Sequence, residues 1–195
     1  MGEDAGPEFV NMAVRVQTTL NPESLLRLLQ QIESEFRRVR TVHWGPRPLD
    51  LDLLLYGNSV IATQGLVIPH PGLWYRRFVL DPLMDFAADD IHPKLAMSIR
   101  QLRARLNLRP LTIEIDGPKD LEIRLSAEHI RDPGECSVRR VHQRELEPVP
   151  DEVFARFVVD PNPKTCGSPA RFVLQANRDT VGALIDSVLT AALGR

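Results

Sequence analysis

Asp50 and Asp52 stand one residue apart within Leu49-Asp50-Leu51-Asp52-Leu53-Leu54-Leu55. A leucine-rich run of this kind reads as a strand, where side chains at i and i+2 point the same way. The two carboxylates then share one face, and Leu51 and Leu53 share the other. Their Cβ atoms would lie roughly 6–7 Å apart, given a rise of about 3.3 Å per residue. Like charges at that spacing repel unless positive charge sits between them. A hard divalent cation is the natural occupant, and magnesium usually takes one or two carboxylates together with substrate phosphates. The plainer alternative is a polar, solvent-facing side of an edge strand. D-x-D is also found in nucleotidyl and glycosyl transferases.

The neighbouring residues add cations and rigidity. Gly45-Pro46-Arg47-Pro48 is a stiff loop that fixes the direction of Arg47. A guanidinium fork held this way suits the oxygens of a phosphate. Arg38 and Arg40 add positive charge on the same side, although cations at a helix C-terminus are common on dipole grounds alone. Together these residues suit a magnesium–polyphosphate site. A second phrase, Ile68 to Leu83, contains His70, Arg76, Arg77 and Phe78. His70 lies between two prolines, which suits either a fixed side chain at a site rim or an ordinary loop histidine.

The elements that must position these groups are legible in the hydrophobic pattern. Phe9 to Leu20 alternates, and the side carrying Val10, Met12, Val14, Val16 and Thr18 is the more apolar, which predicts a strand with one better-buried face. Asn21-Pro22-Glu23 reads as an N-cap, a first helical residue and a first-turn acid. Leu25, Leu28, Leu29, Ile32 and Phe36 continue at helical spacing to about Arg37. A strand starts at Asp50, two short strands flank Gly65, a short helix falls near 78–86, and Pro93 to Leu106 reads as a further helix. From Arg109 the texture changes. Residues 111–115 and 121–125 suggest a hairpin around Gly117-Pro118, and residues 131–152 form a charged stretch. Residues 154–159 and 171–176 read as strands, and a helix from Thr180 closes the chain. Fold class is therefore α+β, with residues 1–108 as one domain and 109–195 as a C-terminal α+β extension.

Composition bounds the rest. The chain has 195 residues, 43% hydrophobic and 26% charged, as in a soluble globular protein. The net charge of −2 gives no field to attract nucleic acid. No apolar run spans a bilayer and no secretory signal opens the sequence, so a cytoplasmic location without membrane attachment is expected. Cys136 and Cys166 lack zinc-site spacing and are expected to be free thiols.

Taken together, residues 9–11, 32–33, 38–40, 43–57 and 68–83 resemble the 6-hydroxymethyl-7,8-dihydropterin pyrophosphokinase family of folate biosynthesis. The motif basic-x-G-P-R-x-x-D-x-D-x-x is matched by His43 through Leu54, and the resemblance runs from residue 8 to about 107. It implies a ferredoxin-like core and transfer of pyrophosphate from ATP to the hydroxymethyl oxygen of a reduced pterin, with release of AMP. By the same resemblance Asp50 and Asp52 would hold two magnesium ions, and Arg38 and Arg47 would steady the phosphates. Glu33, Trp44, His70 and Arg76 match ATP-side residues, and Phe9, Asn11 and Phe78 match pterin-side residues. Asp52 could accept the hydroxyl proton.

Three departures accompany the match. Members of this family place a strand, a G-S-N-type turn, a helix and a second strand before the strand that corresponds to residues 9–11. That opening is expected to be absent here, which would leave the helix 22–37 short of packing surface. Arg37 and Arg77 stand where glycine is commoner, and read as tolerated surface variation. The loop between Arg40 and Trp44 is somewhat short. Three explanations follow: a misassigned start, a short enzyme whose C-terminal strands fill the gap, or a non-catalytic magnesium–ATP-binding remnant.

Overall fold

The computed structural model describes residues 10–36, 49–118, 121, 135–141, 153–159, 172–176 and 179–193. The described chain mixes helix and sheet, as an α+β reading expects. In order it forms α1 (Pro22–Phe36), β1 (Ile61–Ala62), β2 (Val67–Ile68), α2 (Arg77–Leu83), β3 (Ile91–His92), β4 (Met97–Ser98), α3 (Ile99–Arg105), β5 (Leu111–Asp116), β6 (Cys136–Val141), β7 (Val153–Val159), β8 (Val173–Ala176) and α4 (Val181–Leu193).

The start of α1 follows the sequence. Asn21 Oδ1 accepts from the Ser24 N–H at 2.8 Å, satisfying one of the orphan donors of the first turn. The apolar stripe of α1 is only half covered: none of its residues is buried, and Leu28 and Phe36 are exposed. The stretch 10–18 forms no helix or strand and has no ladder partner among the described residues. Its apolar side, expected to be the buried one, lies open, with Val10 96% and Met12 81% exposed. Residues 49–56 likewise form no helix or strand. Asp50 and Asp52 are exposed there while Leu51 and Leu53 are half-buried, so the alternation holds locally. A strand becomes part of a sheet only when its backbone groups find a neighbour, and hydrophobic pattern alone does not supply one.

Two short hairpins follow, β1 with β2 and β3 with β4, both antiparallel. The helix expected from Pro93 begins only at Ile99. Ser98 caps it, its hydroxyl accepting from the Gln101 N–H while the Gln101 side chain accepts from the Ser98 N–H. This reciprocal capping box is a stronger start signal than the apolar period ahead of it. Residues 93–96 instead turn the β3–β4 hairpin.

The C-terminal strands form a four-stranded sheet in the order β6-β5-β7-β8, and each neighbouring pair is parallel. The hairpin expected around Gly117-Pro118 is therefore corrected. β5 has β6 on one edge and β7 on the other, so neither edge is left for residues 121–125, of which only Leu121 is described. β6 was hidden in the charged stretch because it is an edge strand whose Arg139 and Arg140 face solvent. β7 is buried along its whole length and β5 nearly so, the signature of central parallel strands. Gly117 follows β5 so closely that a Cβ there would meet Leu121 at 3.0 Å and Val159 at 3.2 Å. No strand from 10–18 or 49–56 joins this sheet, so the described C-terminal strands build a sheet of their own and do not fill a gap in the N-terminal one.

One cluster of buried side chains runs from Leu73 to Ala192. Trp74 stacks at a tilt on Phe154 at 5.6 Å and on Phe172 at 5.3 Å. Arg105, in the last turn of α3, donates to the carbonyls of Val153 and Phe154 and lies over the Phe172 ring at 3.8 Å. Inside the sheet, Arg156 and Glu114 are each 1% exposed and are joined by bonds of 2.7 and 2.9 Å. Arg139 flanks Glu114 from the other side at 3.3 Å. A buried charge is tolerable only when paired in this way.

Candidate active site

A cavity of about 1270 Å³ opens beside Asp50 and Asp52. The stretch 11–18, Leu25 and Leu29 of α1, and residues 50–58 line one part of it. Tyr75, Arg76 and Phe78 at the start of α2 line another, and Asp186, Ser187 and Thr190 of α4 a third.

The acidic pair is held by α1. Glu33 Oε1 accepts from the Leu51 N–H at 2.9 Å, so the helix grips the backbone between the two aspartates. Leu54 and Leu55 anchor the same stretch on the core, and the Leu54 carbonyl accepts from the His70 N–H at 2.9 Å. That bond brings the second sequence phrase to the first. Asp52 Oδ2 lies 3.8 Å from Arg76 Nη1, in charge contact, and 3.9 Å from His70 Nε2, both beyond hydrogen-bond range.

His70 is neutral in this setting. Burial lowers its pKa, Asp52 raises it in part, and Arg76 lowers it further. Its Nδ1 accepts from the Gly72 N–H at 3.1 Å, which leaves the proton on Nε2, the nitrogen facing Asp52. A Cβ at position 72 would fall 2.5 Å from Arg76 Nε, so a larger residue there would shift the Arg76 side chain. The Arg76 guanidinium also lies 5.8 Å from the centroid of the Phe78 ring.

Of the residues expected at the site, Asn11, Asp50, Asp52, Arg76 and Phe78 line this one cavity. His70 stands beside it through Asp52, and Glu33 acts from behind through Leu51. Phe9, Arg38, Trp44 and Arg47 lie outside the described residues. Two carboxylates on an open wall fit magnesium, which takes few protein ligands and completes its shell with phosphate and water. Among the described residues, no group of three or more His, Cys, Asp or Glu side chains gathers as a metal cage.

Arg77 is not surface variation. Its Nε donates to the Ala192 carbonyl, and its Nη2 to the Leu106 carbonyl at 3.0 Å and to Asn107 Oδ1. One side chain therefore caps the ends of α3 and α4. Burial lowers its pKa, with the nearby Arg103 adding to the effect and Asp81 opposing it. The residues contributed by α4 had no signal in the sequence, since they lie more than a hundred positions from the acidic pair. Cys136 is a free buried thiol whose pKa burial raises, and Cys166 lies outside the described residues. Among the described residues no helix is long and apolar enough to cross a membrane.

Residues 1–88 match the family model for 7,8-dihydro-6-hydroxymethylpterin-pyrophosphokinase. This segment is similar to that family. The chain is 49% identical over 85 residues to the 2-amino-4-hydroxy-6-hydroxymethyldihydropteridine pyrophosphokinase of Bacillus subtilis, covering 44% of this chain and 51% of that protein. It is 45% identical over 93 residues to the protein of the same name from Haemophilus influenzae, covering 48% of this chain and 58% of the relative. It is also 51% identical over 79 residues to a mitochondrial folate synthesis bifunctional protein of Arabidopsis thaliana, covering 40% of this chain and 14% of that one. The chain thus spans about half the length of the bacterial relatives it matches.

Proposed function

We propose that the chain transfers pyrophosphate from ATP to 6-hydroxymethyl-7,8-dihydropterin, releasing AMP, in folate biosynthesis. The observation that carries this reading is the convergence of Asp50, Asp52 and Arg76 with Asn11 and Phe78 around one cavity, in a segment similar to the pyrophosphokinase family. Asp50 and Asp52 would hold magnesium, two ions in this reading, and Arg38 and Arg47 would join them at the phosphates. Magnesium bound there supplies charge neutralisation along the triphosphate.

The chain's own groups account for orientation. Glu33 fixes the backbone between the aspartates, so the acidic pair meets the nucleotide without first reorganising. Arg76, 3.8 Å from Asp52, offers a fork to phosphate oxygens. His70 presents its Nε2 proton at the same edge as a neutral donor, and Trp44 completes the nucleotide side. Phe78, with Phe9, supplies ring faces for the planar pterin, and Asn11 reads its polar edge. Asp52 takes the hydroxyl proton, while positioning and electrostatics supply most of the rate. A ferredoxin-like core over residues 1–108, a C-terminal α+β extension over 109–195 and a cytoplasmic location complete the proposal.

Incubation with ATP, magnesium and the reduced pterin should release AMP and not ADP. A folded preparation that binds magnesium–ATP but yields no AMP would leave a nucleotide-binding protein instead.

A further inference from the structure

α4 does more than cover the sheet. Its buried face is Val181, Ile185, Val188, Leu189 and Ala192. Asp186, Ser187 and Thr190 fall on a different stripe, with Asp186 and Thr190 one turn apart, and that stripe lines the cavity. The cavity is shared with Phe78, whose ring is 41% exposed, and with Asn11. The same helix is tied by its Ala192 carbonyl to Arg77, the residue between Arg76 and Phe78. The extension and the start of α2 therefore meet at a fixed distance.

We propose that α4 forms a wall of the acceptor-substrate site, with Asp186 accepting hydrogen bonds from the N–H edge of a planar nitrogen heterocycle that lies against Phe78. This rests on the function proposed above and deepens it. A carboxylate is an acceptor-only group that pairs well with amino and ring N–H donors. It also repels phosphate, so this wall favours the uncharged acceptor over the nucleotide. The hydroxyls of Ser187 and Thr190 add adaptable donors and acceptors beside it. A site built on such hydrogen bonds discriminates strongly against ligands that lack the matching edge.

The test compares the full chain with Asp186→Asn, close in shape, and Asp186→Ala. Pterin binding is read by calorimetry with a non-hydrolysable ATP analogue, KM values for pterin and ATP by AMP release, and folding by thermal melting. Both variants should raise the pterin KM about tenfold to a hundredfold, the worth of a hydrogen bond to a charged group. The ATP KM should stay put. Unchanged pterin KM in an active parent would overturn this inference alone. Equal loss of affinity for both substrates with a lowered melting temperature would make Asp186 structural and also overturn it. A parent chain that neither binds pterin nor releases AMP removes the function proposed above, and this inference with it.

Discussion

Arg77 Nε donates to the carbonyl oxygen of Ala192 at 3.1 Å, joining the first residue of α2 to the end of α4 across 115 positions of sequence. The neighbours of Arg77 on either side are Arg76, which faces Asp52, and Phe78, which faces the cavity. Packing of the extension and aim of the site are thus coupled through one side chain.

Replacing Arg77 with alanine removes this bond and those to Leu106 and Asn107. Three acceptors lose a charged donor. Stability should fall by about 1–3 kcal/mol, measured by urea denaturation. Arg77→Lys should recover only part, because a point charge cannot span three acceptors in a fixed fork.

Glu33→Ala should weaken magnesium-dependent turnover without touching substrate. The Leu51 N–H loses its acceptor, and the two aspartates lose their common support. Residues that support metal ligands from behind typically contribute about 10–100-fold, and a rise of that size in the magnesium requirement is expected. Glu33→Gln, which keeps an acceptor oxygen, should restore most of it. Asp52→Asn should cost at least about a hundredfold in AMP release, as removal of one charge-stabilising group does.

His92 sets an acid limit on stability. Burial lowers its pKa to about 4 from 6.5, against a raising backbone hydrogen bond and with Lys94 adding to the fall. The unfolded chain therefore binds more protons between those values, so this contribution is complete above about pH 6.5 and is lost as pH falls toward 4. The loss should be on the order of 3 kcal/mol. His92 Nδ1 accepts from the Leu95 N–H at 3.2 Å. His92→Asn, which can still accept there, should flatten the pH dependence of the urea midpoint over this range.

Glu114→Ala should be among the most damaging single changes. It leaves the Arg156 guanidinium, 1% exposed, without its carboxylate partner. Breaking a buried pair from one side costs roughly 3–5 kcal/mol, readable in chemical denaturation. Replacing both residues with apolar side chains should cost much less.

The signals of the candidate site that the sequence offers are local. The D-x-D spacing, the Asn21 cap and the His70 and Arg76 phrase each depend on neighbours a few positions away. What was not legible depends on partners far along the chain. Arg77 reads as a surface residue until α4 is packed against it. β6 reads as charged loop because an edge strand exposes one side. The apolar alternation of residues 10–18 predicts a strand, but none forms there, because pairing and burial of that face depend on a neighbour that the pattern does not name. Parallel pairing of β5 and β7 follows from topology, and no turn signal encodes it.

The row Arg139–Glu114–Arg156 crosses three adjacent strands at aligned positions. A slip of one residue in β7 would turn Arg156 to the opposite side of the sheet and set an apolar neighbour against Glu114. Parallel strands rich in valine and isoleucine offer many near-equivalent alignments. The charges act as a notch that admits one of them, so the extension meets α2 in a single registration and delivers α4 to the cavity at one height.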